Sequence, residues 1–169
     1  LIVALGDWVL AAAARQLRQW AEAGLAPVRV SINLASPSFL EEQVAEKCSA
    51  IIGQEGIAPE QVVLELTESL LVVDAERTIV RLNSLREKGF ALSLDDFGTG
   101  YSSLSMLRNF PFDRVKMDRS FVSSLTESDN SAALVHRILG LSRGLGLPVV
   151  AEGVETEAQF RVLQAAQCA

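Results

Sequence analysis

The chain has 169 residues, the length of one domain; 49% are hydrophobic, enough to bury a core, and 21% are charged. A net charge of −6 argues against a basic nucleic-acid-binding surface, so no DNA partner is expected, although a phosphorylated ligand could bind if metal ions supplied the positive charge. No apolar run reaches the roughly 20 residues of a membrane-spanning helix, and the opening Leu1-Ile2-Val3-Ala4-Leu5 lacks the basic start of a signal peptide. There is no initiating Met, so the N-terminus is expected to be cut from something longer. Cys48 and Cys168 are too few for a disulfide framework and have no close Cys or His neighbours of the zinc-site kind, which suits a reducing cytosol.

Asp7 reads as the N-cap of a helix that carries Leu10, Ala14, Leu17 and Ala21 and stops at Gly24. Residues 28–34 read as a strand. Ser36-Pro37 opens a second helix, Ser36 as cap and Pro37 in the first turn, with an inward stripe of Leu40, Val44, Cys48 and Ile51 and an end at Gly53 and Gly56. Cys48 is therefore expected to be a buried thiol. Residues 62–67 form a second strand; Asp74 caps a helix carrying Ile79, Leu82 and Leu85, closed by Gly89; residues 91–96 form the third strand. A short helix over 102–108, a fourth strand over 115–118 and a helix from about Ser131 with Leu134, Ile138, Leu141 and Leu145 inward come next. His136 lies opposite that stripe and is expected at the surface. A fifth strand covers 148–152, and Thr156-Glu157-Ala158-Gln159 is a capping box for a last helix with Phe160 and Leu163 inward. Strand alternates with helix five times, which predicts an α/β fold with a parallel sheet and right-handed crossovers. The strands are apolar almost throughout, as expected when both faces are covered.

Each strand ends in polar residues: Asn33; Glu65 with Thr67 and Glu68; Asp95 and Asp96; Lys116 and Asp118; Glu152 with Glu155. In a parallel sheet or barrel such ends share one face, where ligands bind. The donors are hard oxygens with one lysine, which suits Mg²⁺, Mn²⁺ or Ca²⁺ rather than zinc or copper. Asp95 and Asp96 are adjacent like charges, costly outside water unless a proton or a metal ion compensates. Taken singly, each feature has a plainer use. A strand-end carboxylate can cap the next helix, and Asn33 can sit in a turn. Lys116 can reach solvent or pair with Asp118, and Gly98-Thr99-Gly100 can be a tight turn rather than a phosphate cradle.

The run Asp95-Asp96-Phe97-Gly98-Thr99-Gly100-Tyr101-Ser102-Ser103-Leu104 resembles the signature of the EAL-domain family of bacterial cyclic-di-GMP phosphodiesterases. So do Ser31-Ile32-Asn33-Leu34, Glu65-Leu66-Thr67-Glu68-Ser69, Lys116-Met117-Asp118 and Ala151-Glu152-Gly153-Val154-Glu155-Thr156, in the same order and spacing. The resemblance implies a TIM-like (β/α)8 barrel, here an incomplete set of about five βα units, and metal-dependent hydrolysis of cyclic di-GMP to the linear dinucleotide pGpG. It implies a two-metal site for Mg²⁺ or Mn²⁺, with Asn33, Glu65, Asp95 and Glu152 on one ion and Asp95 and Asp96 on the other. Lys116 would orient or deprotonate the attacking water, with Asp95 and Glu65 also in the catalytic set. Glu68 would hold the loop from Asp96 to Ser103, Glu155 would support the site behind Glu152, and Thr67, Gly98, Ser102 and Asp118 would support it further. Residues 1–169 would then be a partial domain: the strand with the Glu-Ala-Leu motif, whose Glu is a metal ligand, belongs before Leu1, and the last strand and helices after Ala169. Five strands cannot close an eight-stranded barrel. The family context further implies a homodimer and a GGDEF-type or sensor domain in the parent chain. The location expected is cytoplasmic, with any membrane anchor carried by other domains. Two other readings compete: a catalytically inactive module that binds cyclic di-GMP and signals through a neighbour, and a barrel aldolase using Lys116 as a Schiff base.

Overall fold

The computed structural model describes residues 1–71, 74–98, 108–126 and 129–168. The chain divides into two compact units, Leu1–Leu66 with Val73–Leu92 and Thr67–Val72 with Ser93–Ala169. None of the described helices is long and apolar enough to cross a membrane.

In the first unit, helix α1 (Ile2–Glu22) buries Leu10, Ala14 and Leu17 along one stripe. Asp7 does not cap it. The helix starts at Ile2, and Asp7 lies inside it with its carboxylate 2.9 Å from Lys47 Nζ, so a tertiary ion pair claims the group that local capping chemistry suggested. Ala21, expected inward, is exposed in the last turn. Strand β1 (Val30–Asn33) is shorter than expected and pairs in parallel with β2 (Val62–Thr67). Residues 62–66 of β2 are all buried, as a strand covered on both faces requires. The single helix expected from Ser36 is two: α2 (Ser36–Phe39), with Ala35 at the cap position, and α3 (Val44–Gly53). The break resets the helical phase, so Leu40 is left 49% exposed and the inward stripe runs Val44, Cys48 and Ile52 instead of ending on Ile51. Cys48 is buried as expected, and desolvation pushes its thiol up to about 11, leaving it an inert packing group. Helix α4 (Ala75–Glu87) begins as the sequence indicates: Asp74 Oδ1 accepts the Arg77 N–H at 3.2 Å, and Leu82 and Leu85 are buried.

In the second unit, β3 (Ala91–Phe97, from Ser93 onward), β4 (Arg114–Met117) and β5 (Val149–Ala151) pair in parallel, β4 between the other two. A short helix that the sequence reading did not anticipate, α5 (Arg119–Ser123), follows β4 directly and is capped by Asp118. The helix expected over 102–108 falls on residues outside the described ones, Arg108 excepted. Helix α6 (Asp129–Gly144) turns Val135, Ile138, Leu139 and Ser142 inward and leaves Leu134 46% exposed. An apolar-only pattern skips Ser142, a polar residue that shares the buried i, i+3, i+4, i+7 face. His136 is exposed, as expected. Helix α7 (Glu157–Ala165) carries the complete capping box, with Thr156 Oγ1 accepting the Gln159 N–H at 3.2 Å and Gln159 Oε1 accepting the Thr156 N–H at 2.9 Å. Gln159 and Leu163 occupy its buried face one turn apart, so Phe160, expected inward, is turned outward and is 49% exposed. Both units thus have the parallel α/β organisation that the alternation of elements predicts.

Candidate functional site

The first unit contributes one pair of strand ends. Asn33 and Glu65 are partners in the β1–β2 register, and the Leu34 N–H reaches the Glu65 backbone oxygen at 2.9 Å, carrying the ladder one residue past β1. Glu65 is buried at 6% exposure, whereas Asn33 is exposed. A regular parallel ladder is enough to set the amide and the carboxylate side by side.

The second unit is built differently. Its β3–β4 register runs Leu94↔Val115 and then Phe97↔Met117, so Asp95 and Asp96 together oppose the single residue Lys116. This is a β-bulge, and Asp96 sits in it with φ of 56°, the left-handed region that Asp and Asn tolerate better than most residues. Regular strand alternation would send two neighbouring side chains to opposite faces; an extra residue breaks that rule. Asp95 is buried, and its Oδ1 accepts the Asp96 N–H at 3.0 Å. The same oxygen lies 3.1 Å from Lys116 Nζ, which lies 2.6 Å from Glu152 Oε1. The Lys116 ammonium is therefore held between a carboxylate from β3 and one just past β5. Glu152 is fixed by its own N–H, which donates to the Met117 oxygen at 3.2 Å and extends the β4–β5 ladder.

The electrostatics report a surplus of negative charge. The Asp96 carboxyl is pushed above the usual range, first by desolvation, then by the charges of Asp95, Asp118 and Glu152, with Lys116 acting in the opposite direction. Asp118 is held below the ordinary range by its hydrogen bonds to the Ser120 hydroxyl and backbone N–H, because it serves as the α5 cap. It does not pair with Lys116 as the sequence allowed. The buried Glu68 carboxylate accepts the Gly98 N–H at 3.2 Å, and Gly98 has φ of 97°. Thr67 Oγ1 lies 3.1 Å from Ser69 Oγ. The Glu155 side chain is exposed, and its N–H donates to Gln159 Oε1 at 2.8 Å. Ser102 lies outside the described residues.

This donor set fits hard divalent cations: oxygen ligands only, a carboxyl raised first by desolvation and then by its acidic neighbours, and an ammonium already lodged between two carboxylates as a stand-in cation. Among the described residues no three Asp, Glu, His or Cys side chains are drawn together closely enough to hold an ion, and the Lys116 ammonium stands between two of them. Sequence reasoning missed the bulge, which has no residue-type signature, and α5, for which Asp118-Arg119-Ser120 was a usable capping signal.

The model of the EAL domain matches residues 1–169. The chain belongs to the EAL domain family. This EAL chain is 40% identical over 168 residues to the bifunctional diguanylate cyclase/cyclic di-GMP phosphodiesterase MucR of Pseudomonas aeruginosa, a match covering 99% of the chain and 24% of MucR. It superposes with a TM-score of 0.93 and 40% identity on the solved structure of the PaMucR phosphodiesterase in complex with c-di-GMP, covering 99% of the chain and 68% of that structure. A manganese/cy-diGMP complex of Klebsiella pneumoniae BlrP1 matches with a TM-score of 0.81 and 30% identity over 94% of the chain and 41% of that structure. The chain spans 20% and 24% of the length of two curated relatives, a Caulobacter vibrioides signaling protein and MucR. The EAL structural relatives are TIM-like barrels, of which this chain holds an incomplete set of strands.

Proposed function

We propose that the protein carrying this EAL chain hydrolyses one phosphodiester bond of cyclic di-GMP, giving linear pGpG, and does so with two divalent ions, Mg²⁺ or Mn²⁺. The observation that carries this reading is the Lys116 ammonium held between Asp95 and Glu152 at a bulge of adjacent aspartates. Carboxylates gathered around a basic nitrogen at strand ends are what a metal-assisted displacement on a phosphodiester needs. When bound, the ions supply the positive charge that offsets the carboxylates and stabilises the attacking and leaving oxygens.

The ligands we assign are Asn33, Glu65, Asp95 and Glu152 for one ion and Asp95 with Asp96 for the other. Asp95 and Glu152 aim Lys116 Nζ, which orients or deprotonates the attacking water. Glu68 holds Gly98, two residues past Asp96. Thr67, Asp118, Glu155 and Ser102 are assigned to the supporting framework. The names of MucR and of the P. aeruginosa cyclic di-GMP phosphodiesterase NbdA support the substrate, and the BlrP1 manganese complex supports the metal. The bifunctional name of MucR supports a diguanylate-cyclase-like neighbour in the parent chain. We assign the domain to the cytoplasm and to a homodimer.

Purified full-length protein is expected to linearise cyclic di-GMP with Mg²⁺ or Mn²⁺ and to be inhibited by Ca²⁺. Retained nucleotide binding with no turnover in either metal would replace the enzyme by a cyclic-di-GMP receptor. Borohydride trapping of a carbonyl substrate on Lys116 would instead reveal Schiff-base chemistry.

A further inference from the structure

Helix α5 stands against two of the strand ends that carry the candidate site and is joined to the third. It leaves β4 directly after Lys116, Met117 and its cap Asp118, whose Oδ1 accepts the Ser120 N–H at 3.0 Å. Its Phe121 ring stands against Gly98: a β-carbon on Gly98 would lie 3.0 Å from both Cε2 and Cζ of that ring and 3.7 Å from Ile138 Cδ1. Its Arg119 stands against Gly153, where a β-carbon would lie 2.8 Å from Arg119 Cβ and 3.5 Å from its Cα. Gly98 follows Asp96 by two residues and Gly153 follows Glu152 directly, and both have positive φ, 97° and 70°. Val122, fully buried, anchors the helix in the core.

Two requirements therefore coincide at each glycine: a backbone conformation that L side chains rarely adopt, and a neighbour so close that an added methyl group would force it to give way. Gly98 is gripped from two sides. The Glu68 carboxylate takes its N–H, and the Phe121 ring lies where a side chain would otherwise be. Without the ring, a glycine with wide backbone freedom would lose one of its restraints, directly behind a bulge that regular pairing does not hold.

We propose that Phe121 is a positioning residue, which by packing on Gly98 sets the Asp95–Asp96 bulge opposite Lys116, and that Arg119 sets Glu152 in the same way through Gly153. This deepens the phosphodiesterase reading and rests on it for its kinetic consequences only. The structural consequence is independent of metal and nucleotide.

The test uses the full-length protein. Phe121→Ala is expected to speed hydrogen exchange of the Gly98 amide about tenfold or more without metal or nucleotide. The Val115 amide, which donates to the Pro148 oxygen at 3.0 Å in the same unit, should keep its rate. With Mn²⁺ and cyclic di-GMP, kcat should fall about tenfold or more while KM stays within about threefold, and Mn²⁺ affinity by titration should fall about tenfold. Phe121→Leu, which keeps apolar bulk, should recover most of each loss. Gly98→Ala should be impaired by collision with the ring. Adding Phe121→Ala to it should cost less than the product of the two single effects. Leu125→Ala removes a buried side chain from the turn after α5 and should leave the Gly98 rate unchanged relative to Val115. An unchanged Gly98 rate in Phe121→Ala, equal acceleration of both amides, or strictly multiplicative double-variant effects would each overturn the assignment. If the unsubstituted protein failed to cleave cyclic di-GMP, the phosphodiesterase reading would fall, and the exchange rates alone would still decide the role of Phe121.

Discussion

Each unit of the molecule contains one lysine held between two carboxylates, and the two arrangements behave as different objects. Lys47 Nζ lies 2.9 Å from Asp7 and 2.9 Å from Glu41, all three on or beside helices and each about one-third exposed. Lys116 Nζ lies 3.1 Å from Asp95 and 2.6 Å from Glu152, with Lys116 and Asp95 only 13% and 12% exposed. The distances are alike; what differs is water and backbone. Around Lys47 all three side chains are partly solvated, Asp7 and Lys47 on helices and Glu41 in the bend between α2 and α3, so the network is a surface clamp of small energetic weight. Around Lys116 the carboxylates are carried by strand ends and a bulge, water is largely excluded from Lys116 and Asp95 although Glu152 is 38% exposed, and a neighbouring carboxyl, Asp96, is pushed up first by desolvation and then by the charges around it. Distance alone does not identify a site. Burial and a backbone that fixes the donors do.

The largest separation between the two networks is expected in turnover. Asp95→Asn and Lys116→Ala should each lower kcat for cyclic di-GMP about 10²–10³-fold, while Lys47→Ala stays within about twofold; equal effects at Lys47 and Lys116 would erase the distinction. Removing divalent ions with a chelator should abolish turnover, with Mn²⁺ restoring it, and residual activity in ion-free buffer would point away from a metal site.

Smaller effects concern stability. Asp118→Ala should cost about 1 kcal/mol in denaturant unfolding, because it removes the α5 cap. The Asp118 carboxyl is depressed in the folded state, so its contribution is present at neutral pH and fades as pH falls through that depressed value. Asp96 has the opposite sign. A carboxyl raised in the folded state makes the metal-free protein less stable as pH climbs from the ordinary carboxylate range through the raised value. Asp96→Asn, which also suits φ of 56°, should therefore raise the metal-free melting temperature at pH 7. The gain should shrink as pH falls through the carboxylate range; a gain that is the same at every pH would assign it to backbone preference alone. The smallest effect is Lys47→Ala on stability, expected to cost at most about 1 kcal/mol and to fade at high salt.

Much of this was legible in the residues themselves. Local chemistry and short-range pattern were enough for β2, for the Asp74 cap of α4, for the Thr156–Gln159 capping box and for the burial of Cys48, because each depends on neighbours a few positions away. The alternation of apolar runs and helical stripes was enough for a parallel α/β fold, and the polar strand ends were enough to nominate the site residues. Where the sequence misled, either a distant partner had intervened or a helix broke or turned a polar residue inward. Asp7 serves Lys47 instead of a cap, the break after Phe39 resets the phase and exposes Leu40, and buried Ser142 and Gln159 take places that an apolar count gave to Leu134 and Phe160. Only the tertiary structure decided that Asp95 and Asp96 share one partner, Lys116, across a bulge, and that α5 presses on the glycines behind Asp96 and Glu152. A bulge is a relation between two strands, and close approach is a relation between two elements. Neither is encoded in the residue types of one segment, so both are settled only when the chain packs.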